Sequence, residues 1–170
     1  MRYSLFCSEE SFVDEIDLIE KISALGMEHL YVRKPRMDER ALGRFLLALP
    51  ESVRAKTFLY GFPSAVQEFG LAGILQPLEW ILQNEKAVWN SGVSLGILLH
   101  SIEDLPKLSA EISARVSAFL FPEKTGNAGE NGFVLCDATE IPAGVRNAAI
   151  VSGIWEFADP VSAWKRLCQK

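Results

Sequence analysis

Paired cysteines, a surplus of basic residues and long apolar runs are all missing from this 170-residue chain. Its three cysteines, Cys7, Cys136 and Cys168, are odd in number and widely spaced, with no Cys-x-x-Cys pair. That argues against a disulfide framework and a zinc site, and it fits the reducing cytosol, so a cytoplasmic location is expected. Lys and Arg number 17 against 22 Asp and Glu, a net charge of −5. No overall basic field draws in nucleic acid, and any anion site has to be local. No apolar run approaches the length of a bilayer span. The N-terminus also lacks the charged, apolar and small-residue order of a signal peptide. Neither nucleic acid nor a membrane is an expected partner.

What is present has the balance of an ordinary globular protein, with 49% hydrophobic and 23% charged residues. The length suits a single domain over residues 1–170, with enough chain to bury a core. Short apolar runs alternate with helical patterns throughout. Strands are expected at 3–6, 29–33, 57–60, 71–75, 93–100, 116–121, 133–136 and 148–151. Between them, Ser11 to Asp14 reads as a capping box ahead of a stripe of Phe12, Ile16, Ile19 and Ile22, with Gly26 as the residue that ends the helix. Asp38 can cap a helix whose apolar stripe is Leu42, Phe45, Leu46 and Leu49. Further helices are expected at 64–69 and 78–88. Ser101 to Asp104 forms a second capping-box pattern. Residues 123–132, small and polar, read as a loop. Asp159-Pro160 starts a last helix with Val161, Trp164 and Leu167 on its buried side.

Eight strands in this alternation imply a parallel sheet. The expected closure is a shortened (β/α)8 barrel of the TIM type, with the helices after strands six and seven missing or vestigial. A doubly wound open sheet is the alternative that periodicity leaves open. Both architectures place ligands at the carboxyl ends of the strands. Arg33, Lys34 and His100 all fall at such ends. For Arg33-Lys34 the choice is between two solvated surface cations and an anion-binding pair. For His100, just ahead of a helix start, it is between a structural imidazole and a general base kept neutral by the helix N-terminus. Gly153 would let backbone amides in the Val151-Ser152-Gly153 turn approach an anion closely. His29, at a strand start, reads as structural, and the four tryptophans, Trp80, Trp89, Trp155 and Trp164, as packing. Trp155 could instead bound a ligand pocket.

The segment "AAIVSGIWEFADPVSAWKRL" (148–167) resembles the last strand, phosphate turn and helix of the thiamine phosphate synthase and thiazole tautomerase family. "GMEHLYVRKP" (26–35), "LAGILQ" (71–76) and "GILLHSIEDL" (96–105) are similar to its second, fourth and fifth strands. The resemblance implies a (β/α)8 barrel that binds a small phosphorylated heteroaromatic ligand, thiazole phosphate or thiamine phosphate. The phosphate would lie at Val151, Ser152 and Gly153, with Arg33 and then Lys34 as cationic contacts.

Several positions depart from the family pattern. A synthase displaces pyrophosphate with magnesium, a Lewis acid that supplies several kcal/mol of transition-state stabilisation. Magnesium is therefore the expected cofactor of a synthase, but its usual acids are absent. Tyr60-Gly61-Phe62 stands where the family shows Asn-Asp, and Glu79 reads as a helix-start acid more than a displaced ligand. Tyr31 replaces a Gln, Leu98 replaces a Ser, and Lys34 is shifted one residue along. Asp137-Ala138 replaces a Gly-Gly pair beside the phosphate, while Lys124 and Thr125 match a family segment only loosely. Synthase activity is accordingly in doubt. The alternatives are tautomerase-like general base catalysis by His100, or a non-catalytic barrel acting as scaffold or homodimer subunit. The second alternative expects Tyr31, Phe62 and Leu98 to fill the pocket.

Overall fold

The computed structural model describes residues 1–61, 63–122 and 129–169, and for 89–91 the backbone only. The readings made at Phe62, Lys124, Thr125 and the Trp89 side chain, and most of the 123–132 loop, lie outside the described residues. Eight parallel strands close into a barrel in chain order: β1 (Arg2–Phe6), β2 (Leu30–Val32), β3 (Thr57–Leu59), β4 (Gly73–Pro77), β5 (Ser94–Leu98), β6 (Val116–Phe121), β7 (Gly132–Asp137) and β8 (Asn147–Ser152). Pairing of β1 with β8, from Arg2 opposite Asn147 to Leu5 opposite Ile150, closes the ring. The open-sheet alternative is thereby excluded.

Alternation of side chains along each strand divides the core in two. Tyr31, Phe58, Leu75, Ala118, Leu120, Phe133 and Ala149 fill the barrel, with Phe6, Leu98 and Leu135 packed on them at partial exposure. Their neighbours Leu30, Val32, Ile74, Leu95, Ile97, Val134 and Ile150 point outward into a separate core. There they meet the helical residues Ile19, Ile22, Phe45, Leu46, Ile81 and Trp164. Gly73 is required inside the barrel: a Cβ there would collide with the Ser94 carbonyl and come within 2.8 Å of the Phe58 ring.

The helices are α1 (Glu15–Ala24), α2 (Glu39–Ala48), α3 (Glu51–Arg54), α4 (Pro63–Phe69), α5 (Leu78–Gln83), α6 (Glu85–Ser91), a 3-10 turn (Ile102–Lys107), α7 (Ala110–Ser113) and α8 (Pro160–Cys168), of which the short α3 and α7 were not expected from the sequence. Asp38 caps α2 by accepting from the Ala41 amide at 2.7 Å, and Asp159 caps α8 through Ser162. Ser101 and Asp104 form the expected reciprocal box. Gly26 ends α1 at φ +94, as its position requires. No helix is formed between β7 and β8. Among the described residues, no helix is long and apolar enough to cross a membrane.

Two local expectations are corrected. The Ser11–Asp14 box does not form. Instead α1 begins at Glu15 behind Asp14, whose side chain makes no capping bond, and Phe12 stacks edge-on against Trp155 at 5.7 Å. Contacts across the strand ends outweigh the local cap. The single helix expected over 78–88 is interrupted at Asn84, whose side-chain amide donates to the Trp80 carbonyl at 2.8 Å and so competes for a helical acceptor.

Candidate functional site at the strand-end mouth

Arg33 follows β2 two residues after the inward-facing Tyr31, so it belongs to the inner rim of the barrel. Its guanidinium lies over the Tyr60 ring, 5.6 Å from the centroid, and Nη1 donates to Glu9 Oε1 at 3.2 Å. Both charged side chains are more than half exposed, so this pair leaves the cation accessible.

Lys34 has the opposite parity and turns outward, between barrel and helices. Its Nζ donates to both carboxylate oxygens of Glu15 at 2.7 and 2.8 Å and lies 4.8 Å from the Phe45 ring centroid. Both partners are almost wholly buried. Burial pushes the Glu15 carboxyl upward, and hydrogen bonding from the ammonium opposes the shift. The one-residue shift noticed in the sequence thus separates Lys34 from Arg33: only Arg33 stands at the mouth. Cys7 lies close to this pair, and burial drives its thiol up to about 12, far from nucleophilic use.

His100 follows β5, also on the inner side. Its Nε2 lies 3.1 Å from Glu79 Oε1, which enters from the first turn of α5 on the neighbouring strand. The imidazole is 82% exposed. Its backbone amide donates to Asp104 Oδ2 at 3.0 Å, which holds the strand end against the 3-10 turn. His29, by contrast, sits at the start of β2 among Tyr31, Phe58 and Phe133. It is structural, and burial lowers its pKa.

The third group is the turn after β8. A bulge brings Ser152, instead of Val151, opposite Asp137 on β7. Ser152 Oγ donates to Asp137 Oδ2 at 2.7 Å. The Thr139 amide and hydroxyl donate to Oδ1 at 2.8 and 2.6 Å. Gly153 has φ +81, and a Cβ on it would collide with the same carboxylate. The Thr139 and Ser152 donors hold the Asp137 carboxyl below the usual carboxylate range. Val151 is left 45% exposed on the rim. Trp155 donates its indole N–H to the Phe6 carbonyl at 2.9 Å and, with Phe12, covers this edge of the mouth.

Arg33, His100 and the 151–153 turn are therefore on one rim, around a floor that includes Phe6, Leu98 and Leu135. Sequence reasoning did not identify Tyr60, Glu9 or Glu15 as partners. Asp137 was noticed only as a departure from Gly-Gly; its parity with Leu135 was the available signal that it points inward.

The residues present do not fit a magnesium site. β3 is followed by Tyr60-Gly61, Glu79 is engaged by His100, and no cluster of three or more metal-ligating side chains occurs among the described residues.

No family model matches the chain, and no curated protein does either. Solved structures do. A thiamine phosphate pyrophosphorylase from Bacteroides thetaiotaomicron superposes with a TM-score of 0.71 at 13% identity, covering 99% of this chain and 96% of that one. A triosephosphate isomerase from Bartonella henselae gives 0.52 at 10% identity, with 99% of each chain covered. At such identities the likeness establishes the TIM-barrel fold.

Proposed function

We propose that this chain binds a small phosphorylated heteroaromatic ligand, of the thiazole phosphate or thiamine phosphate kind, at its strand-end mouth, and that it does not catalyse magnesium-assisted condensation. The observation that carries this reading is the placement of Arg33. Its accessible guanidinium stands on the inner rim beside the Tyr60 ring and near the apolar residues of the floor. A cation for the anionic group and an apolar bed for the ring are what such a ligand needs. Its position at the carboxyl ends of barrel strands supports the same reading, as does the shared fold with a pyrophosphorylase named for thiamine phosphate. Lys34 has no part in it.

Calorimetry with thiazole phosphate and thiamine phosphate tests the proposal. Binding by the wild-type protein at millimolar concentration, with no thiamine phosphate formed from both synthase substrates and magnesium, is the expected result. Absence of binding to either compound would favour instead a non-catalytic barrel, serving as scaffold or homodimer subunit, its interior filled by Tyr31 and Leu98.

A second reading, proton transfer of the tautomerase kind, is favoured by the His100–Glu79 pair. A carboxylate beside an imidazole orients the ring, which suits a general base.

A further inference from the structure

The turn after β8 already holds an anion, and it is the chain's own. In barrels of this type the loops after the seventh and eighth strands frequently form a phosphate site. Here the corresponding groups are the Ser152 hydroxyl, the close backbone approach at Gly153, and the amide and hydroxyl of Thr139. All of them are directed at Asp137. Its Oδ2 takes the Ser152 hydroxyl, and its Oδ1 takes both Thr139 donors while resting against Gly153. The bulge in β8 is what aligns Ser152 with Asp137. Glu156 lines the same open depression of about 390 Å³, together with Asp137, Thr139 and Gly153. A phosphate entering here would meet one carboxylate in its place and a second at the border, and like charges so close disfavour binding.

We propose that Asp137 is a specificity-determining residue: its carboxylate occupies the anion seat of the mouth, so the ligand's phosphate is left to Arg33 and is bound less tightly than an open seat would allow. This rests on the mouth-binding reading above. It assigns the weak point of phosphate recognition to one side chain.

The test compares wild type with Asp137→Asn and Asp137→Ser. The amide oxygen of Asn can still accept from Thr139, and Ser opens the seat further. Thermal melts establish that each variant is folded. The expected result is thiazole phosphate bound at least about tenfold more tightly by both variants, with the affinity for the corresponding thiazole alcohol unchanged. Equal affinity of all three proteins for thiazole phosphate overturns the role of Asp137 while leaving the mouth reading intact. Failure of all three to bind phosphate or alcohol overturns both. Should the variants not fold, NMR of wild type decides: Thr139 and Gly153 amides unmoved by millimolar inorganic phosphate support an occupied seat, and a saturable shift of either refutes it.

Discussion

Lys34 and Glu15 meet across the barrel–helix boundary as a buried ion pair, with both carboxylate oxygens within 2.8 Å of one ammonium. Removing one partner leaves the other charge uncompensated in the interior, at a cost of about 3–5 kcal/mol. Lys34→Met should therefore lower stability in urea unfolding by that order. The combined Lys34→Met and Glu15→Leu replacement should recover most of the loss, because two apolar side chains of similar volume need no partner. A double variant as unstable as the single one would show that the loss does not come from an uncompensated buried charge.

Arg33 carries a different expectation. Its contact with Glu9 is exposed, and pairs of that kind contribute about 0–1 kcal/mol. Arg33→Ala should leave stability nearly unchanged yet weaken thiazole phosphate binding, roughly 10- to 100-fold for a lost charge-assisted contact. Calorimetry on the folded variant measures this, and unaltered affinity would remove Arg33 from the site.

His100 separates the catalytic reading from the binding one. If proton transfer on a thiazole carboxylate phosphate is observed, His100→Ala should lower its rate by about 10²–10⁴-fold, the usual worth of a general acid or base. Glu79→Gln should lower it less, because Glu79 acts through the imidazole by holding its orientation. A rate unchanged in His100→Ala would leave the pair as a surface contact.

His29 predicts an acid-sensitive fold. Burial lowers its pKa, with Arg2 and Lys56 adding to the shift and Glu28 opposing it. Below the ordinary histidine value of about 6.5, the unfolded chain gains a proton that the folded chain resists. Stability from this group is thus complete above about 6.5 and declines as pH falls toward the lower folded value. His29→Leu should flatten that part of the stability–pH curve in chemical denaturation. An identical slope in wild type and variant would count against it.

The fold was legible because its signals are local. Each strand is a short apolar run set off by turn residues, and Asp38, Ser101 and Asp159 act as caps where their sequence neighbours ask for them. The strand ends shifted by one or two residues because barrel pairing, not composition, decides where a ladder stops. The Ser11–Asp14 cap was lost to contacts that only the closed barrel creates.

The site was legible in part for the same reason. Arg33, His100 and Gly153 could be assigned to strand ends from order and parity alone. The partners could not. Glu15 is 19 residues from Lys34, Glu79 is 21 from His100, and Asp137 is 15 from Ser152. Sequence by itself determined the alternation of strand and helix, the missing acids after β3 and the poles at which charge could gather. Only the tertiary structure decided that Lys34 pairs with Glu15 outside the barrel, that Arg33 stays on the rim and that a carboxylate lies in the β8 turn. A side chain's direction follows from local parity, but its partner is chosen by which distant strand or helix the closed barrel brings beside it.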